Sequence, residues 1–316
     1  MRTFEHHRLP WRVLAASAAV LLASCSLNRV AVRGVADFLA SSGESTVFSG
    51  DDDPELVGQA LPFALKIYES LLASDPDNAP LALATGRSFV SYAFAFVQAP
   101  ADLLPVEQAD RQRAERLRAK KLFLRGRDDI LNGLETRRPG FRELLDAGRV
   151  KSALERTRRD DIDYLYWAGT ASLAAFGADP FDFDAIVTVP RAVALLQQVL
   201  AWDPGYGAGS VDEILISFYG SAPENLGGGE GRARESFDRA VALSRGLRVG
   251  PYTALAASVS VKDQNVAEYR DLLHRALAID VNADVPDRLV NIIGQRKARW
   301  MLEHEGDFFL DTGGGQ

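Results

Sequence analysis

One cysteine, two methionines and four histidines in 316 residues leave this chain little of the soft chemistry on which active sites are built. With Cys25 alone, no intrachain disulfide can form. His6 and His7 stand in the first 24 residues, so His274 and His304 are the only imidazoles further on, and neither belongs to a His-Glu-x-x-His run or to a Cys/His pair of metal-ligand spacing. The sequence has no Gly-x-Ser-x-Gly elbow and no Gly-x-x-x-x-Gly-Lys phosphate loop. Gly227-Gly228-Gly229-Glu230-Gly231 lacks the third glycine of a dinucleotide fingerprint and reads as a flexible lead into a helix at Arg232. These absences argue against an enzyme and against any metal or cofactor. A formal net charge of −7 argues against nucleic acid as a partner. Beyond the N-terminus no uncharged apolar stretch is expected to span a bilayer.

What is present begins with an export signal. Arg2, Arg8 and Arg12 precede the apolar run 13–22, which is too short for a permanent membrane span. Leu22-Ala23-Ser24-Cys25 closes it and resembles the bacterial lipobox, in which the cysteine sulfur receives a diacylglycerol and the new amine is acylated. Several acyl chains on Cys25 would hold the protein stably on a membrane without spanning it. Ser26 rather than Asp at the next position favours the outer membrane, facing the periplasm. The expected organisation is a signal peptide 1–24, a lipidated segment 25–50, a helical domain 51–310 and a flexible tail 311–316. Removing residues 1–24 takes away three arginines and one glutamate and moves the charge from −7 to −9.

The remainder repeats one helical phrase. Ala64 to Asp75-Pro76, Ala192 to Asp203-Pro204, Ala233 to Ser244 and Tyr269 to Asp280 each place apolar and small residues on one face at a period of 3.6. Asp-Pro stops the first two, since proline cannot continue the hydrogen-bond ladder. The other two lack the proline or the aspartate. A second apolar helix is predicted after each phrase, over residues 80–98, 208–219, 251–261 and 285–303. Helix, turn, helix, recurring, predicts an all-α solenoid, and the phrase resembles the second helix of a tetratricopeptide (TPR) repeat. Alanines 201, 242 and 278 are 41 and 36 residues apart, near the ~34 of that repeat, whereas 128 residues separate Ala73 from Ala201. A helical insertion is therefore expected between the first and second repeat-like hairpins. Within it, residues 107–132 form a helix rich in arginine and lysine, read as a solvated face making surface ion pairs. Asp51-Asp52-Asp53-Pro54-Glu55 reads as a helix start, with Asp53 as N-cap and Pro54 in the first turn. Ile186 to Val189 is β-prone but too short to set a class.

Two helices are unusually apolar. Residues 81–98 carry Phe89, Tyr92 and Phe96 on one face, and residues 163–176 add Tyr164, Tyr166 and Trp167 beside a stripe of small residues. Solid core packing and the lining of an apolar channel both account for such helices.

Asp52-Asp53-Pro54-Glu55-Leu56, the run Ala60-Leu61-Pro62-Phe63-Ala64-Leu65-Lys66-Ile67-Tyr68-Glu69, Ala84-Thr85-Gly86, Tyr92-Ala93-Phe94-Ala95-Phe96-Val97-Gln98, Tyr164-Leu165-Tyr166-Trp167 and Arg288-Leu289 with Gln295-Arg296-Lys297-Ala298-Arg299-Trp300 together resemble the TatT lipoproteins. These are the T components associated with tripartite ATP-independent periplasmic (TRAP) transporters. The resemblance implies a TPR-like array, a periplasmic TRAP-class solute-binding protein as partner, and a homo-oligomer, trimer favoured, with apolar channels. It implies no catalytic motif. The expected function is that of a lipid-anchored accessory protein which docks a solute-binding protein and passes it an apolar or amphipathic ligand. The alternative is a TPR-type adaptor of envelope assembly without ligand transport.

Overall fold

Helices begin where the sequence supplies caps. In the computed structural model, which describes residues 46–310, the Asp53 Oδ1 accepts from the Leu56 amide at 3.0 Å and Pro54 occupies the first turn of α1 (Pro54–Ser74). The aspartates ahead of α1 are thus spent on the backbone, Asp51 accepting from the Asp53 amide at 2.8 Å. Asp75 ends the helix, as the Asp-Pro stop requires. Asn78 caps α2 (Ala79–Ala93) through the Leu81 amide at 3.0 Å, and the chain runs on through a π-helical turn, Phe94–Gln98, into Ala99–Asp102. The basic helix is α3 (Ala109–Arg137). Phe141–Asp146 and Val150–Leu154 lead to α4 (Ile162–Ala178), followed by α5 (Phe183–Trp202), α6 (Ser210–Ser221) and α7 (Glu230–Leu243). α8 (Gly250–Leu255) also ends in a π turn, Ala256–Ser260, and α9 (Val266–Leu277) and α10 (Arg288–Glu303) complete the order. Among the described residues all regular structure is helical, and Ile186 to Val189 belong to α5. Cys25, the signal peptide 1–24 and the tail 311–316 lie outside the described residues.

Neighbours in sequence are neighbours in space. α2 lies along α3, α3 along α4, α4 along α5, α6 along α7, α8 and its π turn along α9, and α9 along α10. The phrase helices α5, α7 and α9 are therefore the second members of hairpins, while α1 packs on α2, the helix that follows it. α3, in the segment expected as an insertion, is the partner of α2. Two glycines make that pairing close: a Cβ on Gly126 would lie 2.5 Å from the Gly86 carbonyl oxygen, and one on Gly86 would lie 2.5 Å from Ile130 Cγ1. Phe123, Ile130, Leu134, Phe141, Leu165, Leu196, Leu215, Ile216, Tyr269 and Leu273 are fully buried along this path. Each contributes about 1.5–3 kcal/mol relative to exposure.

The arginines of α3 are used as expected for a solvated face. Arg116 pairs with Asp102 at 2.7 Å, Arg118 with Glu115 at 3.2 Å, Arg125 with Glu69, and Lys120 pins the α4–α5 turn through Asp179 and Asp182 at 2.8 and 2.5 Å. At the far end Arg137 and Arg138 close on the fully buried Asp161 at 2.7 and 2.6 Å. Burial alone would raise the Asp161 pKa, but the two guanidiniums and the Arg158 amide hold it below the usual carboxylate range.

By length and composition α5 could cross a membrane, which the sequence did not lead us to expect. Its Val189, Leu195, Leu196 and Val199 are buried and it lies along α4, while Phe183 and Val187 are exposed and it carries Asp184 and Arg191.

The path closes on itself. α10 touches both α1 and the turn Thr46–Ser49. Arg296 meets Glu55 through two hydrogen bonds at 2.6 and 3.1 Å, and Arg288 donates to the Gly50 carbonyl at 3.1 Å. First and last helices, some 240 residues apart in sequence, thus share a seam.

Candidate functional site

The five aromatic side chains singled out by sequence occupy two environments. Phe89 is buried, with the Arg125 guanidinium 4.7 Å above its ring. Tyr164 is buried as well, under Arg137 at 5.4 Å and against Gly133, and burial pushes its hydroxyl up to about 12. Tyr92, Phe96 and Trp167 are half-buried. Tyr92 and Phe96 stack at 5.9 Å, with Phe96 lying over Gly58 of α1, which places them where α2 crosses α1. Trp167 instead faces Tyr166, their centroids 5.2 Å apart and their planes at 75°.

Around Trp167 and Tyr166, both named from the sequence, the structure assembles groups that the sequence reading did not single out. Tyr166 packs against Tyr206 at 4.9 Å, and Tyr206 donates to Asp163 Oδ1 at 2.5 Å. Tyr206 is set there by a strained turn: Gly207, Ala208 and Gly209 all have left-handed φ, of 55°, 51° and 93°. A non-glycine residue such as Ala208 holds that conformation only when its surroundings enforce it, and such residues gather at functional sites. On the other side of Tyr166 lie Ser210 and Glu213 of α6 and Arg248 from the α7–α8 connection. Arg248 Nη1 is 3.6 Å from Glu213, while its Nε and Nη2 grip Asp287 at 2.6 and 2.9 Å. Gly250 lets the Glu213 carboxylate lie flat on the backbone, since a Cβ there would overlap its oxygens.

The carboxylates of this cluster are unequally partnered. Arg248 is claimed by Asp287, and although burial would lower its pKa, that pairing and nearby Glu213 hold it above the ordinary value. Glu213 has only the 3.6 Å contact with Arg248. Burial raises its pKa, Arg248 opposes the shift and Asp287 adds to it. Tyr206 is raised too, first by burial and then by Asp163, with Arg87 opposing. Thr170, one turn from Tyr166 on α4, has a buried hydroxyl beside that of Tyr166. Within this cluster Glu213, Arg248 and Asp287 keep 26, 17 and 18% of their side-chain surface accessible. No signal in one dimension could have found it, because its members are spread from position 163 to position 287.

The family model described as "TRAP transporter T-component" matches residues 50–309. An uncharacterized protein of Treponema pallidum (strain Nichols) is 37% identical over 312 residues, which cover 94% of this chain and 97% of that protein.

Proposed function

Because the chain belongs to the TRAP transporter T-component family, we propose that it is a lipid-anchored accessory protein of a TRAP-type uptake system that docks a solute-binding protein and passes it an apolar or amphipathic ligand. Membership of that family implies association with a TRAP transporter and with the cell envelope, and the family is a transporter accessory component, not a known enzyme family. In this reading Cys25 carries the acyl chains, the outer membrane holds them, and the helical domain faces the periplasm. The helices form a TPR-like array, the working unit is a homo-oligomer, trimer favoured, and half-buried Tyr92, Phe96 and Trp167 line the route more than buried Phe89 and Tyr164.

The observation that carries the reading is the closed path of helices. An open solenoid leaves its two ends apart, whereas here the last helix touches α1. π turns, Phe94–Gln98 and Ala256–Ser260, interrupt α2 and α8, a departure from regular helix common at functional sites. Phe94, at the start of one of them, is 48% exposed on an otherwise buried helix.

Sedimentation velocity of the protein with its TRAP-class solute-binding protein is expected to show a reversible complex. No complex at high concentration of both, with or without ligand, would favour the envelope adaptor instead. Separately, Cys25→Ser is expected to stop incorporation of labelled fatty acid, and incorporation in that variant would sink the anchor.

A further inference from the structure

We propose that one end of the array rests on the lipid surface that holds the protein, with Phe181 and Phe183 of the α4–α5 turn dipping into it. The proposal rests on the anchor reading of Cys25 and adds a docking face to it. Four segments meet at this end: the start of α1, the π turn of α2 with its continuation, the start of α3, and the α4–α5 turn. Gly58 of α1 lies under Phe96, Gln112 and Arg116 of α3 reach the Ala101 carbonyl and Asp102 at 3.2 and 2.7 Å, and Lys120 of α3 holds Asp179 and Asp182. Here the chain turns out large apolar side chains. Phe181 is 89% exposed, Phe183 82%, Val106 77%, Val187 59% and Leu56 58%.

The two phenylalanines stand on a turn that is held. Lys120 bridges Asp179 and Asp182 at 2.8 and 2.5 Å, and Asp182 caps α5 through the Asp184 amide at 3.1 Å. Pro180 and Phe181 border an open hollow with Arg113 and Leu117, which carries the apolar surface across to α3. α5 extends it along its own length, for Phe183, Val187 and Pro190 are exposed at i, i+4 and i+7 on a helix whose most apolar stretch is only one-third buried. A contiguous exposed apolar patch marks an interaction surface. Lipid is the occupant favoured by the path of the chain. Twenty residues separate Cys25 from Thr46, a span of at most about 75 Å, and the chain enters the fold through Thr46–Ser49 and α1, at this same end. Tethering makes the docking intramolecular, so a patch too weak to hold a membrane unaided stays on it. Charge gives no attraction to anionic lipid: exposed Arg111, Arg113 and Lys121 are matched by exposed Glu107, Asp110 and Asp184, and Asp52 and Asp53 add acid ahead of α1. The hold is that of apolar side chains sunk about 5–10 Å into the headgroup boundary.

Fluorescence of the acylated mature chain in phosphatidylcholine vesicles tests this. With Cys25 acylated, Val187→Cys supplies the one free thiol for a nitrobenzoxadiazole label, and Lys151→Cys, past the far end of α3, carries the same label as control. In vesicles the label at 187 is expected to shift to the blue and to be quenched by doxyl-labelled lipid, while the label at 151 does neither. The result should be the same with phosphatidylglycerol added and in high salt. Adding Phe181→Asp and Phe183→Asp, both at exposed positions, should abolish shift and quenching at 187 without changing the melting curve. Flotation with the vesicles but no quenching at 187 overturns the docking and keeps the anchor, whereas failure to float overturns both. Quenching that survives the two aspartates, or that requires phosphatidylglycerol, overturns the aromatic hold. A blue shift at 187 without lipid, on raising the protein concentration or adding the solute-binding protein, assigns the face to a protein partner and overturns the proposal.

Discussion

The contact between α2 and α3 gives the sharpest test of the packing. Gly126→Ala adds one methyl group 2.5 Å from the Gly86 carbonyl oxygen, 2.9 Å from Val90 Cγ2 and 3.2 Å from Phe89 Cβ. The oxygen belongs to backbone in the middle of a helix and cannot turn aside, so an overlap of roughly 1 Å must be relieved by moving the helices apart. Overpacking of this kind costs about 1–3 kcal/mol. Alanine returns up to ~1 kcal/mol as the better helix former. The steric effect prevails because the helices cannot separate without also loosening Phe89 and Val90, both buried. We expect a net loss of about 1–2 kcal/mol. The same substitution at Gly177, where nothing lies within 4 Å, has only the propensity term and should stabilise by up to ~1 kcal/mol. Gly86→Ala should destabilise like Gly126→Ala, and the double variant should lose less than the sum, since one separation relieves both overlaps. Urea unfolding followed by far-ultraviolet dichroism gives the midpoints. A Gly126→Ala midpoint at or above that of the parent would refute the close crossing and with it the α2–α3 hairpin.

Three further outcomes are expected. Burial raises the Asp129 pKa to about 6 from 3.8, with Arg125 opposing and Asp128 adding, so the folded state holds this proton more tightly than the unfolded chain. Stability from this group is thus full below pH 4 and lost as pH rises through 6. Asp129→Asn should match the parent near pH 4 and exceed it at pH 7 by about 1–2 kcal/mol, the shift of about two units being discounted for solvent that still reaches the side chain. An equal gain at both pH values counts against the argument. Phe89→Ala should cost about 3–5 kcal/mol, as for a ring closed in the core, and Trp167→Ala clearly less; equal losses in thermal unfolding would place Trp167 in solid core. Asp161→Asn strips the charge from a buried carboxylate facing two arginines and should cost about 3–5 kcal/mol, a prediction undone by a change under 1 kcal/mol in chemical denaturation.

Local chemistry was legible in the sequence where a residue acts on its own neighbours. Asp53 with Pro54, Asp75 and Asp203 mark helix ends because the cap and the proline act within a few residues. Pro62 and Pro190, by contrast, sit inside α1 and α5, tolerated because both rings lie on the exposed side. The β-prone stretch Ile186 to Val189 is helical because one face of α5 is needed against α4, and packing outweighs propensity. Helix pairing was not legible, since the phrase fixes each helix's apolar face but not its partner, and the Gly86–Gly126 approach that unites α2 with α3 bridges 40 positions. Tyr92, Phe96 and Trp167 stood out by their bulk. Tyr206, Glu213 and Arg248 did not, because a lone tyrosine, glutamate or arginine carries no signature until folding gathers them.

The seam between α1 and α10 governs how such an array can breathe. An open helical array stretches like a spring, each hairpin yielding a little. Once its ends are fastened, that soft mode is gone, and strain imposed anywhere on the loop is felt around the whole circuit. The fastening is weak: Arg296 and Glu55 are 43 and 63% exposed, and exposed pairs are worth about 0–1 kcal/mol. Opening the Arg296–Glu55 clasp therefore need not deform any helix, and it should become more frequent as salt rises.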